Sequence, residues 1–206
     1  MKIHEIEQNT PEWLLLRAGK PTASEFKKLV SGTGQLSKSM SAYARKLAAE
    51  VYAGKPLEQW EGNQWTERGH DMEILGADEY ELTRNCSISQ VGFVTDDLEK
   101  YGCSPDRLVD NDGLLEIKSL SASNHIEALL YIDKNKDIPP DYRTQVQGQI
   151  LVCERDWCDV LFFHPDLPSK TLRILPDAEF VEKLTGQINA VLKERDNIVL
   201  FLNKEA

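Results

Sequence analysis

The stretch Cys103-Ser104-Pro105-Asp106-Arg107-Leu108-Val109-Asp110-Asn111-Asp112-Gly113-Leu114-Leu115-Glu116-Ile117-Lys118 decides the fold. It reads as two apolar strands around a turn. Asp110-Asn111-Asp112-Gly113 is a strong hairpin signal, because short polar side chains and glycine accept the backbone angles a tight loop needs. Glu116 and Lys118 are two apart, so on a strand they share one face. A loop centred on Asn111 sets Asp106 directly across from Glu116, with Cβ atoms about 5 Å apart. A two-residue loop leaves the two acids one position off.

Two carboxylates that close can share a hard divalent cation. Mg²⁺ takes carboxylate and carbonyl oxygens and keeps several waters, so Asp106, Glu116 and the Ile117 carbonyl suit it. A bound metal lowers the pKa of its water and polarises a phosphoryl oxygen. Lys118 beside it would place that water and stabilise developing negative charge. A surface hairpin with an exposed Glu–Lys pair would gain only about 0–1 kcal/mol from it. Here the charges interleave with Leu114, Leu115 and Ile117, and the first acid follows a proline at a strand end. The pattern is that of a metal-dependent nuclease core.

Upstream, Thr10-Pro11-Glu12 is a helix start, with a capping hydroxyl, proline at the first position and then an acid. The helix spans 12–18 and a second short one follows at 24–30. Trp13 and Arg17 read either as a core anchor and a surface charge or, with the Ser24 hydroxyl, as an anion pocket, since a guanidinium binds phosphate bidentately. Helices are expected at 41–53 and 65–83, the latter carrying Glu73. Trp60 and Trp65 are buried anchors or an aromatic face for a base. Strands are expected at 87–95, 101–103, 107–109 and 114–119, forming an antiparallel meander.

Downstream, a helix at 121–133 and another at 142–152 precede strands at 159–164 and 171–175. Gln145 and Gln149 are four apart on the second helix and share a face, either a solvated edge or the lining of a polar site. Asp177 caps a last helix reaching 202. This order predicts an α/β (α+β) single domain over 1–206, with a mixed central sheet flanked by helices.

The chain has 206 residues, 41% hydrophobic and 28% charged, as expected of a globular protein. No stretch approaches the roughly 18 apolar residues of a membrane span, and the start lacks a signal-peptide pattern. A cytoplasmic location follows, with Cys86, Cys103, Cys153 and Cys158 as reduced thiols. The net charge of −10 argues against a protein that coats nucleic acid, which needs many cations against phosphates. It allows an enzyme with one local basic groove.

Pro105-Asp106 followed by Glu116-Ile117-Lys118 resembles the P-D…E-x-K signature of the restriction-endonuclease-like nuclease superfamily. More closely, the chain resembles the phage lambda exonuclease family, the YqaJ-like viral recombination nucleases. The matching islands are Trp13 to Arg17, Thr22-Ala23-Ser24, Gly69 to Glu73, Cys103 to Asp106, Gly113 to Lys118 and Gln145-Val146-Gln147. The resemblance implies a restriction-endonuclease-like core and Mg²⁺-dependent digestion of linear double-stranded DNA from 5′-phosphorylated ends. Mononucleotides are released and 3′ single strands are left for recombination by annealing. It implies that Asp106, Glu116, Ile117 and Glu73 bind metal, two ions per site with Mn²⁺ as a substitute. It implies that Lys118 activates water, with Gln145 positioning it. Arg17, Ser24, Trp13, Thr22, Tyr142 and Gln147 would contact the DNA or its 5′-phosphate. A homotrimeric ring around DNA, a single-strand annealing partner and a phage or prophage origin in a bacterial host are implied too. Two other readings keep the fold. An endonuclease or resolvase needs no Arg17/Ser24 pocket, and a non-catalytic DNA-end-binding protein needs no intact acid-acid-lysine set.

Overall fold

The computed structural model describes residues 1–57 and 64–205, with backbone alone for 64–70. The readings of Trp60, and of side chains between 61 and 68, fall outside what is described. The chain opens with β1 (Lys2–His4), α1 (Pro11–Arg17), a 3-10 helix (Ala23–Lys28), α2 (Met40–Ala53) and α3 (Gln64–Arg84). It continues through β2 (Ile88–Ser89), β3 (Phe93–Thr95), β4 (Gly102–Cys103), β5 (Arg107–Val109) and β6 (Gly113–Ser119). It closes with α4 (Ala122–Asn135), α5 (Pro140–Cys153), β7 (Trp157–Phe163), β8 (Lys170–Ile174) and α6 (Ala178–Glu205).

The hairpin forms in the register that places the acids together. Val109 pairs with Gly113, Leu108 with Leu114 and Arg107 with Leu115, so the loop is centred on Asn111 and one further step sets Asp106 opposite Glu116. Asp110 takes a positive φ of 44° in that loop, and its carboxylate accepts from the Ser87 N–H at 3.0 Å. The capping expectations hold as well. Thr10 Oγ1 accepts from the Trp13 N–H at 3.3 Å, and Asp177 Oδ1 from the Phe180 N–H at 3.1 Å.

The meander does not form. The strands divide between a five-stranded sheet, ordered β2-β5-β6-β7-β8, and a three-stranded sheet, ordered β1-β3-β4. The single strand expected over 87–95 is therefore two strands in two sheets. It breaks at Gly92, whose carbonyl accepts side-chain bonds from Trp13 and Ser104. A Cβ at Gly92 would lie 1.8 Å from the Ile6 carbonyl oxygen, so only glycine lets the N-terminal segment pass there. The last crossing between the sheets is Ser104-Pro105-Asp106, and it carries the first catalytic candidate.

The larger sheet is mixed. β6 and β7 are parallel, while β2–β5, β5–β6 and β7–β8 are antiparallel. A parallel neighbour requires a long crossover, which α4 and α5 supply. Alternation along β6 then sorts its side chains. Leu114 joins the larger core with Val160 and Phe162 of β7. Leu115 and Ile117 face the other way, onto Ala77 and Tyr80 of α3 with Leu161 and Phe163. Glu116 and Lys118 share the parity of Leu114, so they point at the layer that contains α5. That helix is buried on nearly all sides. A Cβ at Gly148 would meet the Phe26 ring at 2.5 Å, which is how closely α5 packs on the 3-10 helix.

Candidate active site

Glu116 is 3% exposed and accepts from three side chains. Lys118 Nζ lies 2.6 Å and Gln145 Nε2 2.7 Å from its Oε1, while Gln149 Nε2 lies 2.6 Å from its Oε2. Lys118 also donates to Gln145 Oε1 at 3.1 Å and sits 5.1 Å from the centre of the Tyr142 ring. A strand and a helix thus converge on one buried carboxylate. The two-residue spacing on β6 delivers Glu116 and Lys118, and the four-residue spacing on α5 delivers the glutamines.

Asp106 stands across the hairpin, its Oδ2 accepting from the Ile117 N–H at 2.6 Å. Burial pushes its carboxyl well above the usual carboxylate range, and the neighbouring charges of Glu116 and Glu73 push in the same direction. Burial pulls the Lys118 ammonium down, but the charge and hydrogen bond of Glu116, with Asp106 behind it, outweigh that and raise it. Lys118 is accordingly a cation here, suited to holding a water or an anion. Glu73 lies on α3, and its Oε1 takes a 2.7 Å ion pair from Arg107, which also donates to the Asp106 carbonyl.

The donor set matches a small hard cation. Two carboxylates and a strand carbonyl are what Mg²⁺ takes from a protein before substrate phosphates complete its shell. The Asp106 carboxyl is raised first by burial and then by the neighbouring charges of Glu116 and Glu73, and a bound cation would relieve both. Among the described residues no three His, Cys, Asp or Glu side chains form a ready ligand cluster, and Glu73 is paired with Arg107.

The second constellation is at the N-terminus. The Arg17 guanidinium stacks 3.9 Å above the Trp13 ring and 5.5 Å from Phe93. Its Nη1 donates to Ser104 Oγ at 3.3 Å. Burial pulls it down to about 10, so it remains charged at neutral pH, and no carboxylate pairs with it among the described residues. A cavity of about 310 Å³ opens here, with Arg17, Lys20, Thr22, Ser24 and Tyr43 among its lining. Thr22 Oγ1 and Ser24 Oγ are 3.4 Å apart. Trp13 is itself buried and holds the corner, donating from Nε1 to the Gly92 carbonyl and to Ser104 Oγ.

One candidate is set apart. Gln147 is 2% exposed, with Nε2 on the Leu175 carbonyl and Oε1 accepting from the Asp177 N–H. It ties α5 to the start of α6 and is buried away from any DNA. Half a helical turn from Gln145, it projects from another side of α5. Three residues join the site that the sequence reading gave no site role. Gln149 was available from its spacing to Gln145. Arg107, a charge inside an apolar strand next to Asp106, was a visible irregularity. Ser104 had no signal beyond its place in the quoted stretch.

Comparison with known proteins places this fold. A solved alkaline exonuclease (LHK-Exo) from Laribacter hongkongensis superposes with a TM-score of 0.81 at 27% identity, covering 95% of this chain and 97% of that one. LHK-Exo in complex with dAMP gives 0.80 at 26% identity over the same shares. A phage related exonuclease from Haemophilus somnus 129PT shares the fold, with a TM-score of 0.68 at 17% identity over 89% of this chain and 96% of that one. No curated protein matches. The model of the YqaJ-like viral recombinase domain matches residues 12–156, a span that holds the Arg17 corner, the hairpin and the α5 glutamines. The chain belongs to the YqaJ-like viral recombinase family.

Proposed function

We propose that this protein is a Mg²⁺-dependent 5′–3′ exonuclease that digests linear double-stranded DNA from 5′-phosphorylated ends to mononucleotides. Asp106, Glu116 and the Ile117 carbonyl hold the metal, two ions per site, with Glu73 assisting and Mn²⁺ as a substitute. The metal, when bound, supplies Lewis-acid polarisation of the scissile phosphate and a water of lowered pKa. Lys118 and Gln145 hold the attacking water in line, and the Lys118 ammonium stabilises the charge that develops on the phosphoryl oxygens. Tyr142 borders this group from the same turn of α5.

The observation that carries the reading is the Arg17–Ser104 bond. It joins a buried guanidinium, with no carboxylate partner among the described residues, to a residue two positions before Asp106, the two Cα atoms being at most ~7 Å apart. The Arg17 corner and the acids are thus tied to the same short segment of chain. In this reading a 5′-phosphate on Arg17, Thr22 and Ser24 brings the next phosphodiester to the acids. This makes the activity end-directed and distinguishes it from an endonuclease. The dAMP complex of LHK-Exo supports a nucleotide-sized site. The family resemblance adds a homotrimeric ring around the DNA, whose closed topology suits a net charge of −10. It adds an annealing protein that takes the 3′ strand, and work in the cytoplasm of a phage host.

Digestion of linear duplexes with and without 5′-phosphate, in Mg²⁺ and in EDTA, tests this. Mononucleotides should appear only with Mg²⁺ and faster from the phosphorylated end. Arg17→Ala should reduce that preference by about 10–100-fold, the scale of a lost charged hydrogen-bond pair. Equal rates from both ends in the wild type would remove the Arg17 assignment, and nicking of closed circles would favour an endonuclease.

A further inference from the structure

Gln149 has no role in the reaction outlined so far, yet it makes one of the shortest contacts in the site. Its Nε2 is 2.6 Å from Glu116 Oε2, and it is 1% exposed. The other two donors to Glu116, Lys118 and Gln145, both sit on Oε1. They also bond to each other. The two oxygens of this carboxylate are therefore served by different kinds of group. Oε1 faces the pair that must also reach water and phosphate during hydrolysis. Oε2 faces one buried amide that Lys118 and Gln145 leave alone.

The amide itself is incompletely bonded. Gln149 Oε1 is buried with no hydrogen-bond partner among the described residues, although α5 is packed on nearly all sides. An orphaned buried acceptor loses its hydration without recovering a bond. The Nε2 is committed to a carboxylate, so rotating the amide would only exchange one loss for a larger one. A donor arriving beside Glu116 would satisfy it, and a water on a hydrated cation is such a donor.

We propose that Gln149 is a positioning residue of the hydrolytic site. It clamps Glu116 through Oε2 so that Oε1 is the oxygen presented to the metal, and it offers its own Oε1 to the ion's water shell. This rests on the metal-dependent reading above. The division of labour follows from burial. When Lys118 and Gln145 turn to water and phosphate, Glu116 keeps its orientation because the third donor does not move.

The test uses Gln149→Met, which keeps length and bulk but removes both hydrogen-bonding ends. Binding of Mn²⁺ alone to DNA-free protein is read from the free-ion paramagnetic resonance signal. Hydrolysis of a 5′-phosphorylated duplex is read as separate kcat and KM, and Tm is measured in EDTA. Mn²⁺ affinity should fall about 10–100-fold, the usual loss when an outer partner of a ligand is removed. kcat should fall with it and KM for DNA should stay within about twofold. Gln149→Asn keeps a buried amide but is one methylene too short for Glu116, so it should show the same loss in metal affinity should the Met variant fail to fold. A lower Tm in either variant with wild-type Mn²⁺ affinity and kcat would make Gln149 a packing residue and overturn the proposal. A wild-type protein that neither binds Mn²⁺ nor cuts DNA would bring down the metal-dependent reading as well, a separate and recognisable failure.

Discussion

The two faces of the central sheet each bury one carboxylate, and the two are built differently. On the α5 face, Glu116 is held by one ammonium and two amides. On the α3 face, Asp159 is held by the Tyr80 hydroxyl at 2.6 Å and by the Arg173 fork at 2.8 and 3.0 Å. Burial and the bond to Asp159 push the Tyr80 hydroxyl up, so it stays a donor. The Arg173 guanidinium also stacks 3.5 Å from the Trp157 ring centre. Asp159 is thus a closed account: one charge, one countercharge and full hydrogen bonding. Glu116 is not closed. Its cation is shared with Asp106 and Gln145, a second acid stands across the hairpin, and a glutamine oxygen beside it has no partner among the described residues. A structural ion pair is satisfied as it stands, whereas a site for chemistry is satisfied only when a ligand arrives.

The largest effect that sharpens this contrast is on Lys118. Lys118→Ala should lower kcat on linear duplex by about 10³-fold or more, roughly 4 kcal/mol of transition-state stabilisation. DNA binding in EDTA, read by anisotropy, should be retained. Cleavage within tenfold of wild type would place the catalytic cation elsewhere.

Next in size is the opposite face. Asp159→Ala strands the buried Tyr80 hydroxyl and frees a guanidinium that is 49% exposed on its side chain and can turn to water. Because solvent relieves the arginine, the loss is smaller than the 3–5 kcal/mol of a fully buried pair, about 2–3 kcal/mol. That is a Tm drop of roughly 4–10 °C for a chain of this size, with kcat at low temperature within about threefold of wild type. An Asp159 variant that kept its Tm but lost activity would erase the distinction between the faces.

The same contrast explains what the sequence disclosed. The hairpin register was legible because Asp110-Asn111-Asp112-Gly113 leaves few ways to turn, and period-two alternation then fixed the face of Glu116 and Lys118. The helix starts at Thr10 and Asp177 were legible because capping is local. The division of 87–95 between two sheets was not, because it depends on Ile6 and Trp13 meeting Gly92 from far away in the chain. Helix α5 shows both sides of the lesson. Buried almost all round, it has no apolar stripe to orient it. Spacing from Gln145 still points to Gln149, whereas motif resemblance drew in Gln147, which the fold uses elsewhere. Ion pairing was the least legible: nothing local tells that Glu73 meets Arg107 and that Asp159 meets Arg173.

The smallest effect is on stability and has the opposite sign. Asp106 is held above its unfolded pKa by burial and by Glu116 and Glu73. A carboxyl with a raised folded pKa binds more protons in the native state, so stability falls as pH rises from the ordinary carboxylate value towards the raised one. At neutral pH without metal, Asp106 therefore weakens the fold. Asp106→Asn removes the charge, and its side-chain oxygen can still accept from the Ile117 N–H. In EDTA at neutral pH it should raise Tm by about 2–4 °C, on the order of 1 kcal/mol. The gain should shrink as pH falls towards 4, where the wild-type carboxyl is neutral too. Added Mg²⁺ should stabilise the wild type and not the variant, because only the former keeps both acids for the ion. If Asp106→Asn lowered Tm in EDTA at every pH, the hairpin corner would be a satisfied structural pair like Asp159, and the contrast between the two faces would fail at the residue where it should be clearest.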